Sequence, residues 1–178
     1  MSIGVLVLRG VVGLLFMGHG TQKLFGWFGG LGLRGTGVFF ESRGYRPGRV
    51  MALFAGLAET GAGFLLTLGL FTPLAAAGVI GVMVNAVVAV HARNGVWNAA
   101  GGFEFPRTNA AVATAVAFTG PGRYSIDHLI GFSPDPVASG LFALILGVVS
   151  GLVLLGMRQA TPAAFAEPIT EVPERRAA

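Results

Sequence analysis

Five runs of apolar residues, separated by polar or glycine-rich stretches, organise the chain: 3–25, 50–70, 73–92, 106–119 and 137–157. Four of them approach the roughly 20 residues needed to span a hydrocarbon core about 30 Å thick. The run 106–119 is shorter, about 21 Å as a helix, and is expected to span only with its ends extended or shielded by protein. The pattern predicts an all-α transmembrane helical bundle over residues 1–158, with a four-helix core and a fifth, C-terminal transmembrane helix. Residues 159–178, with Pro162, Pro168, Pro173 and mixed charges, read as a disordered Pro-rich tail. Met1 to Leu8 carries no Lys or Arg and no small-residue cleavage site follows, so the first run is expected to be retained rather than removed as a signal peptide.

The connections constrain the topology. Only Phe71 and Thr72 separate the second and third runs, and Pro73 suits the first turn of a helix, so these two form an antiparallel hairpin. The connection 26–49 is long, rich in Gly, aromatic residues and Arg, and suits an ordered interfacial loop or a short amphipathic helix. Small residues recur at Gly56, Thr60, Gly63 and Thr67, and at Ala77, Gly81, Asn85 and Ala89. Such stripes let helix backbones approach closely in lipid, where van der Waals packing drives association.

Composition sharpens this reading. The 178 residues are 53% hydrophobic and 11% charged, against about 25% charged in a soluble domain, so the bilayer is the expected surrounding. The net charge of +4 does not point to nucleic acid, because the cations lie in membrane-flanking loops. With five crossings, Lys23, Arg34, Arg43, Arg46, Arg49, Arg93, Arg107, Arg158, Arg175 and Arg176 share one face, and the positive-inside rule puts that face in the cytoplasm. There is no cysteine, so any redox role requires a bound cofactor or a partner.

Candidate chemistry begins with polar groups inside the apolar runs, since each costs several kcal/mol at depth unless paired or hydrated. Counted from the basic face, Asn85 lies roughly 10 Å deep, Glu59 roughly 13 Å and Arg9 roughly 22 Å, with His19 roughly 7 Å and Lys23 and His91 near the rim. A buried Arg9–Glu59 pair is within reach of a long Arg side chain. Convergence of these groups predicts a polar pocket opening to the basic face, with GHGTQKLFGWFGG (18–30) as one wall. Each residue also has a plainer role: Lys23, Trp27 and Trp97 as interfacial anchors, His19 and His91 as helix-to-helix hydrogen bonders, and Arg9 with Glu59 as an ion pair fixing helix order. His19, Glu59, His91 and Glu104 lack the local spacing of a metal motif, and no metal is expected.

Arg9 with GHGTQKLFGWF (18–28), GLAETGAGFLLTLGLFTPLAA (56–76), HARNGVWNAAGGFEFP (91–106) and TGPGRYSIDHL (119–129) resembles the DoxX family of small bacterial and archaeal membrane proteins. The likeness runs over roughly residues 5–130. It implies a four-helix membrane core, motif positions at Arg9, Lys23, Glu59, His91, Glu104 and Asp127, and a link to sulfur and thiol redox metabolism. Glu104 before Pro106 also suits the positive end of the fourth helix, and Ser125 suits the cap of a short helix after the GPG at 120–122.

The functional expectation is therefore a non-catalytic subunit of the bacterial or archaeal cytoplasmic membrane that anchors or supports a redox partner on its basic face. Its candidate pocket gathers Arg9, His19, Lys23, Glu59, Asn85, His91, Glu104 and Asp127. Two alternatives stay open: a quinone-binding oxidoreductase subunit in its own right, and a small proton-coupled transporter.

Overall fold

The computed structural model describes residues 2–159. The tail expected beyond them lies outside the described residues, apart from Gln159. Among the described residues all regular structure is helical. Helix α1 runs Ser2–Phe25, α2 Gly32–Ser42, α3 Gly48–Leu68, α4 Thr72–Ala86, α5 Glu104–Thr119, α6 Ile126–Leu129 and α7 Pro136–Gly156. Helix α4 continues through a wide π-turn at Val87–His91 and a tight turn at Ala92–Asn94. Four stretches are long and apolar enough to cross a membrane: Ser2–Phe25, Gly48–Leu68, Thr72–Asn94 and Pro136–Gly156.

Helix α5, with 16 residues, is about 24 Å long and is shielded by packing against α4, α7 and α1. The hydroxyls of Thr108, Thr114 and Thr119 donate back to carbonyls four residues earlier in α5, which lets polar residues lie in an apolar setting. Its course fixes the alternation of the chain. The end of α7 returns to the loop after α2, where Gln159 N–H donates to Gly44 O at 2.8 Å and Arg158 Nε to Arg43 O at 2.8 Å. At the other end, Gly122 approaches Ser2, and Asp127 meets the α3–α4 turn. Helices α1, α3, α4, α5 and α7 thus alternate in direction, with the cation-rich loops together at one end of the bundle.

Glycine decides how closely the helices pack. A methyl group at Gly13, Gly20 or Gly63 would run into the backbone of the facing helix across the α1–α3 seam, and one at Gly56 into Leu24. The α4–α7 seam is built the same way, with Gly147 against Ile80 and the Ala77 carbonyl, and Gly151 against the Gly81 carbonyl. Both expected small-residue stripes thus lie in helix seams. The core between them holds Val12, Phe16, Leu66, Val79, Ile80, Val116 and Ala143. Leu14, Phe54, Leu141, Ile145, Val149 and Leu152 point outward and exposed, an apolar exterior suited to lipid. The connection 26–47 contains α2, which packs against α3 through buried Thr36 and Gly37 while Leu31, Arg34 and Val38 stay exposed.

The α3–α4 turn needs glycine for a specific reason. Leu70 N–H reaches back to Leu65 O at 2.9 Å, which requires the intervening Gly69 to adopt φ +63, a conformation that L-residues with a Cβ avoid. Pro73 follows in the first turn of α4.

Candidate functional site

The buried charges separate into two groups at opposite ends of α1. The seam sets the register. Gly63 packs at the level of Gly13 to Met17, and Gly56 at the level of Gly20 to Leu24. Antiparallel helices rising about 1.5 Å per residue then bring Glu59 level with His19 and Gly69 level with Arg9. Arg9 and Glu59 are therefore offset by ten residues, about 15 Å along α1. The Arg9–Glu59 pair anticipated from depth does not form, because depth counted from approximate helix ends misjudged this register.

Glu59 pairs instead with Lys23, Nζ to Oε2 at 2.5 Å. The Glu59 side chain is 5% exposed and that of Lys23 24%. The lysine sits near the end of α1, and helical side chains lean toward the N-terminus, so its ammonium is carried back into the bundle from the basic rim. One turn earlier His19 is half-buried, its Nδ1 3.1 Å from Gln22 Oε1 and its ring meeting Phe105 of α5 edge to face at 5.4 Å. Gln22 Nε2 in turn donates to the Phe28 carbonyl. The Lys23–Glu59 pair thus joins α1 to α3 while one member still reaches toward the surface.

The other group is sealed. Arg9 and Asp127 are both fully buried. Asp127 accepts the Phe71 N–H at 2.7 Å, the Thr72 N–H at 2.9 Å and the Thr72 hydroxyl at 2.7 Å. These include backbone donors at the start of α4, which have no partner within the helix, and the helix dipole favours a carboxylate there. The Asp127 N–H donates to Gly69 O, so the loop after α5 is fastened to the α3–α4 turn in both directions. Arg9 Nη2 donates to the Tyr124 carbonyl at 2.6 Å. Its guanidinium packs against Gly69, where a methyl group would overlap Nη1. Asp127 is within electrostatic reach of Arg9 without a contact inside 4.0 Å, and Arg9 Nε and Nη1 have no partner among the described residues.

The remaining candidates have local partners. Asn85 meets the Tyr45 hydroxyl, 2.7 Å from Nδ2 and 3.0 Å from Oδ1. The Arg158 guanidinium lies over the Tyr45 ring at 5.8 Å, linking the end of α7 to α4 through the loop after α2. Burial pushes the Tyr45 phenol above its ordinary value, against the opposing pull of the Asn85 hydrogen bond and of Arg158. His91 Nδ1 lies 2.6 Å from Gly101 O, and Glu104 Oε2 accepts the Asn98 N–H; both order the loop before α5. Ser125 caps α6 by accepting from His128 N–H, as its position suggested. Among the described residues no three His, Asp or Glu side chains gather for a metal ion.

Of the eight candidate residues, only Lys23 and Glu59 form an ion pair; Arg9 and Asp127 share one buried region without contact, and His19 adjoins the first pair by helical spacing. Asn85, His91 and Glu104 serve contacts of their own. Gln22, Tyr45 and Gly69 were missed. Gln22 stands three residues after His19, a spacing that puts both on one helix face and that was legible in the sequence. Tyr45 is a loop residue with no periodic signal. Gly69 reads as an ordinary helix terminator until Arg9 is seen against it.

No curated protein and no solved structure matches the chain. A family model does match, over residues 4–92, the stretch that holds the α1–α3 seam, Arg9, the Lys23–Glu59 pair and all of α4. The motifs at 93–106 and 119–129 lie beyond it. Four long apolar helices in a helical bundle and this match over half of the chain give one conclusion: the protein is a multi-pass membrane protein and belongs to the DoxX family.

Proposed function

We propose that the protein is a non-catalytic subunit of the bacterial or archaeal cytoplasmic membrane, supporting a redox protein on its basic face. The Lys23–Glu59 pair is the element that carries the coupling. One observation supports this reading: Glu59 is nearly sealed between α1 and α3, while its lysine extends from the rim and is a quarter exposed. A docked partner that contacts the rim therefore changes the surroundings of the lysine, and with them the balance of a charge pair inside the bundle. The cations of α2, of the loop after it and of the end of α7 give an acidic partner a surface to meet, and the positive-inside rule turns that surface to the cytoplasm. The redox character of the partner rests on the likeness to the DoxX family.

Affinity purification in mild detergent, with identification of co-purifying proteins and small molecules, tests this reading. Wild-type protein is expected to retain a redox protein, and Glu59→Gln to retain at least about tenfold less at equal membrane abundance, the loss of one charge-assisted contact of about 1.5 kcal/mol. Wild-type retention by both Glu59→Gln and Lys23→Met would sink it. Glu41, the obvious surface control, is unsuitable, because its carboxylate accepts the Gly48 N–H at the start of α3; Arg123→Gln, exposed in the loop after α5 at the opposite end of the bundle, serves instead.

A further inference from the structure

Helices α4 and α7 both begin beside an open apolar cavity of about 370 Å³, within the range of about 300–1,000 Å³ usual for a small-molecule site. It lies at the end of the bundle away from the Lys23–Glu59 pair. Its outer wall is aromatic: the rings of Phe71 and Phe132 meet edge to face at 5.7 Å. Leu74 and Phe142 form the inner wall, and no charged side chain lines the space.

The wall is held rigidly. Phe71 takes a left-handed backbone conformation at φ +46, which a residue with a bulky side chain avoids. The Asp127 carboxylate holds it there by accepting the Phe71 N–H at 2.7 Å. Such a backbone persists only where its surroundings over-determine it, commonly at ligand sites. Pro73 and Pro134 stiffen the two segments that carry the rings.

One polar group faces this apolar space. Ser139, in the first turn of α7, is 6% exposed and lines the cavity. Ser150 on the same helix closes its hydroxyl onto Gly147 O. The Ser139 hydroxyl has no hydrogen-bond partner among the described residues, and it is not among the atoms sealed within protein. It therefore opens into the cavity with a proton to donate.

The surroundings select the acceptor. Leu74 and Phe142 are each 49% exposed, and Leu141 and Ile145 continue the apolar exterior along α7, so the cavity is continuous with the surface that hydrocarbon chains cover. The spans Thr72–Asn94 and Pro136–Gly156 both start here, which sets the cavity at the boundary between headgroups and hydrocarbon. The ester carbonyls of glycerolipids occupy that boundary, each joined to a chain, and a carbonyl oxygen only accepts. A phosphate gains nothing from a lining without cations.

We propose that this cavity binds one acyl chain of an ester-linked glycerolipid, with the Ser139 hydroxyl donating to the ester carbonyl and the chain running between Leu74 and Phe142. The site is independent of the partner-supporting role, since it uses no residue of the basic rim.

The test is native mass spectrometry of the full-length protein released from micelles that contain equal amounts of a diacyl phosphatidylethanolamine and its dialkyl ether analogue. The two lipids share headgroup and chains and differ in the carbonyls. Wild-type protein is expected to retain the ester form about fivefold over the ether, the size of one hydrogen bond. Ser139→Ala should erase that preference while leaving ether retention within about twofold. Ala138→Phe, at an exposed position on the cavity wall, should fill the space and lower retention of both lipids at least about fivefold. Leu152→Phe, which places the same ring on the lipid-facing side farther along α7, leaves both unchanged. Equal retention of the two lipids by the wild type overturns the proposal, as does a preference that survives Ser139→Ala or full lipid retention by Ala138→Phe. Loss of a co-purifying polypeptide, rather than of lipid, from Ala138→Phe assigns the cavity to a protein segment and overturns it too. Thermal midpoints identify any variant that has unfolded; Ala138→Phe replaces an exposed side chain, so that arm decides the outcome if Ser139→Ala is lost.

Discussion

The two charge groups on α1 solve the same physical problem in opposite ways. At the end near Ser2, Arg9 and Asp127 are fully buried, and the carboxylate is occupied by backbone and hydroxyl donors at the start of α4. At the other end Glu59 has a single side-chain partner, and that partner is partly exposed. Lysine on a long stem can retreat to the rim if its carboxylate is lost. Arg9 has no such retreat, because Gly69 and Tyr124 enclose it. The first group reads as a fastener for three segments of backbone, and the second as a pair with freedom to respond.

Substitutions should separate the two regions by size of effect. Asp127→Asn replaces an acceptor of three hydrogen bonds with a group that presents donors to donors and leaves Arg9 without a counter-charge. A loss of about 3–5 kcal/mol is expected, seen as a collapse of the thermal midpoint in detergent; a midpoint near wild type would remove the distinction drawn here. Gly69→Ala should cost about 2–3 kcal/mol, from a left-handed backbone position and from displacement of the Arg9 guanidinium. The same substitution in an Arg9→Met background should cost less, and that double-variant comparison isolates the contact.

At the rim, Glu59→Gln should cost only about 1–2 kcal/mol, because Lys23 can regain water. The double variant Lys23→Met with Glu59→Leu should lie within about 1 kcal/mol of wild type, since apolar replacement of a whole buried pair is often neutral. A stable double variant that still fails to retain partner would mark the pair as functional rather than structural.

The smallest effect belongs to Tyr45→Phe, about 1 kcal/mol from an Asn85 left without its hydroxyl. The pH dependence has a definite sign. The folded phenol titrates above its ordinary value of 10.0, so the folded state holds this proton more tightly than the unfolded one. The contribution is present below about pH 10 and is lost as pH rises from there through the folded value. Alkaline unfolding of Tyr45→Phe should lack that component.

Much of the fold was legible because its rules are local. Apolar runs of membrane-spanning length, Pro73 after a two-residue link, and small residues at four-residue spacing fix helices, a hairpin and seams from chemistry within a turn or two. The alternating direction of five helices followed as well, so the gathering of cations at one end did too. The sequence also showed which polar residues lie at membrane depth, since each one interrupts an apolar run. What it determined by itself is a membrane-embedded bundle of five antiparallel helices with charges in its interior. Which charges meet was decided only by tertiary structure: a shift of the α1–α3 seam by one turn moves Glu59 about 5 Å along α1, and that register is set by how glycines on two helices interlock. Loop partners such as Tyr45, Tyr124 and Asp127 reach their helices from distant parts of the chain, where no periodicity records the contact.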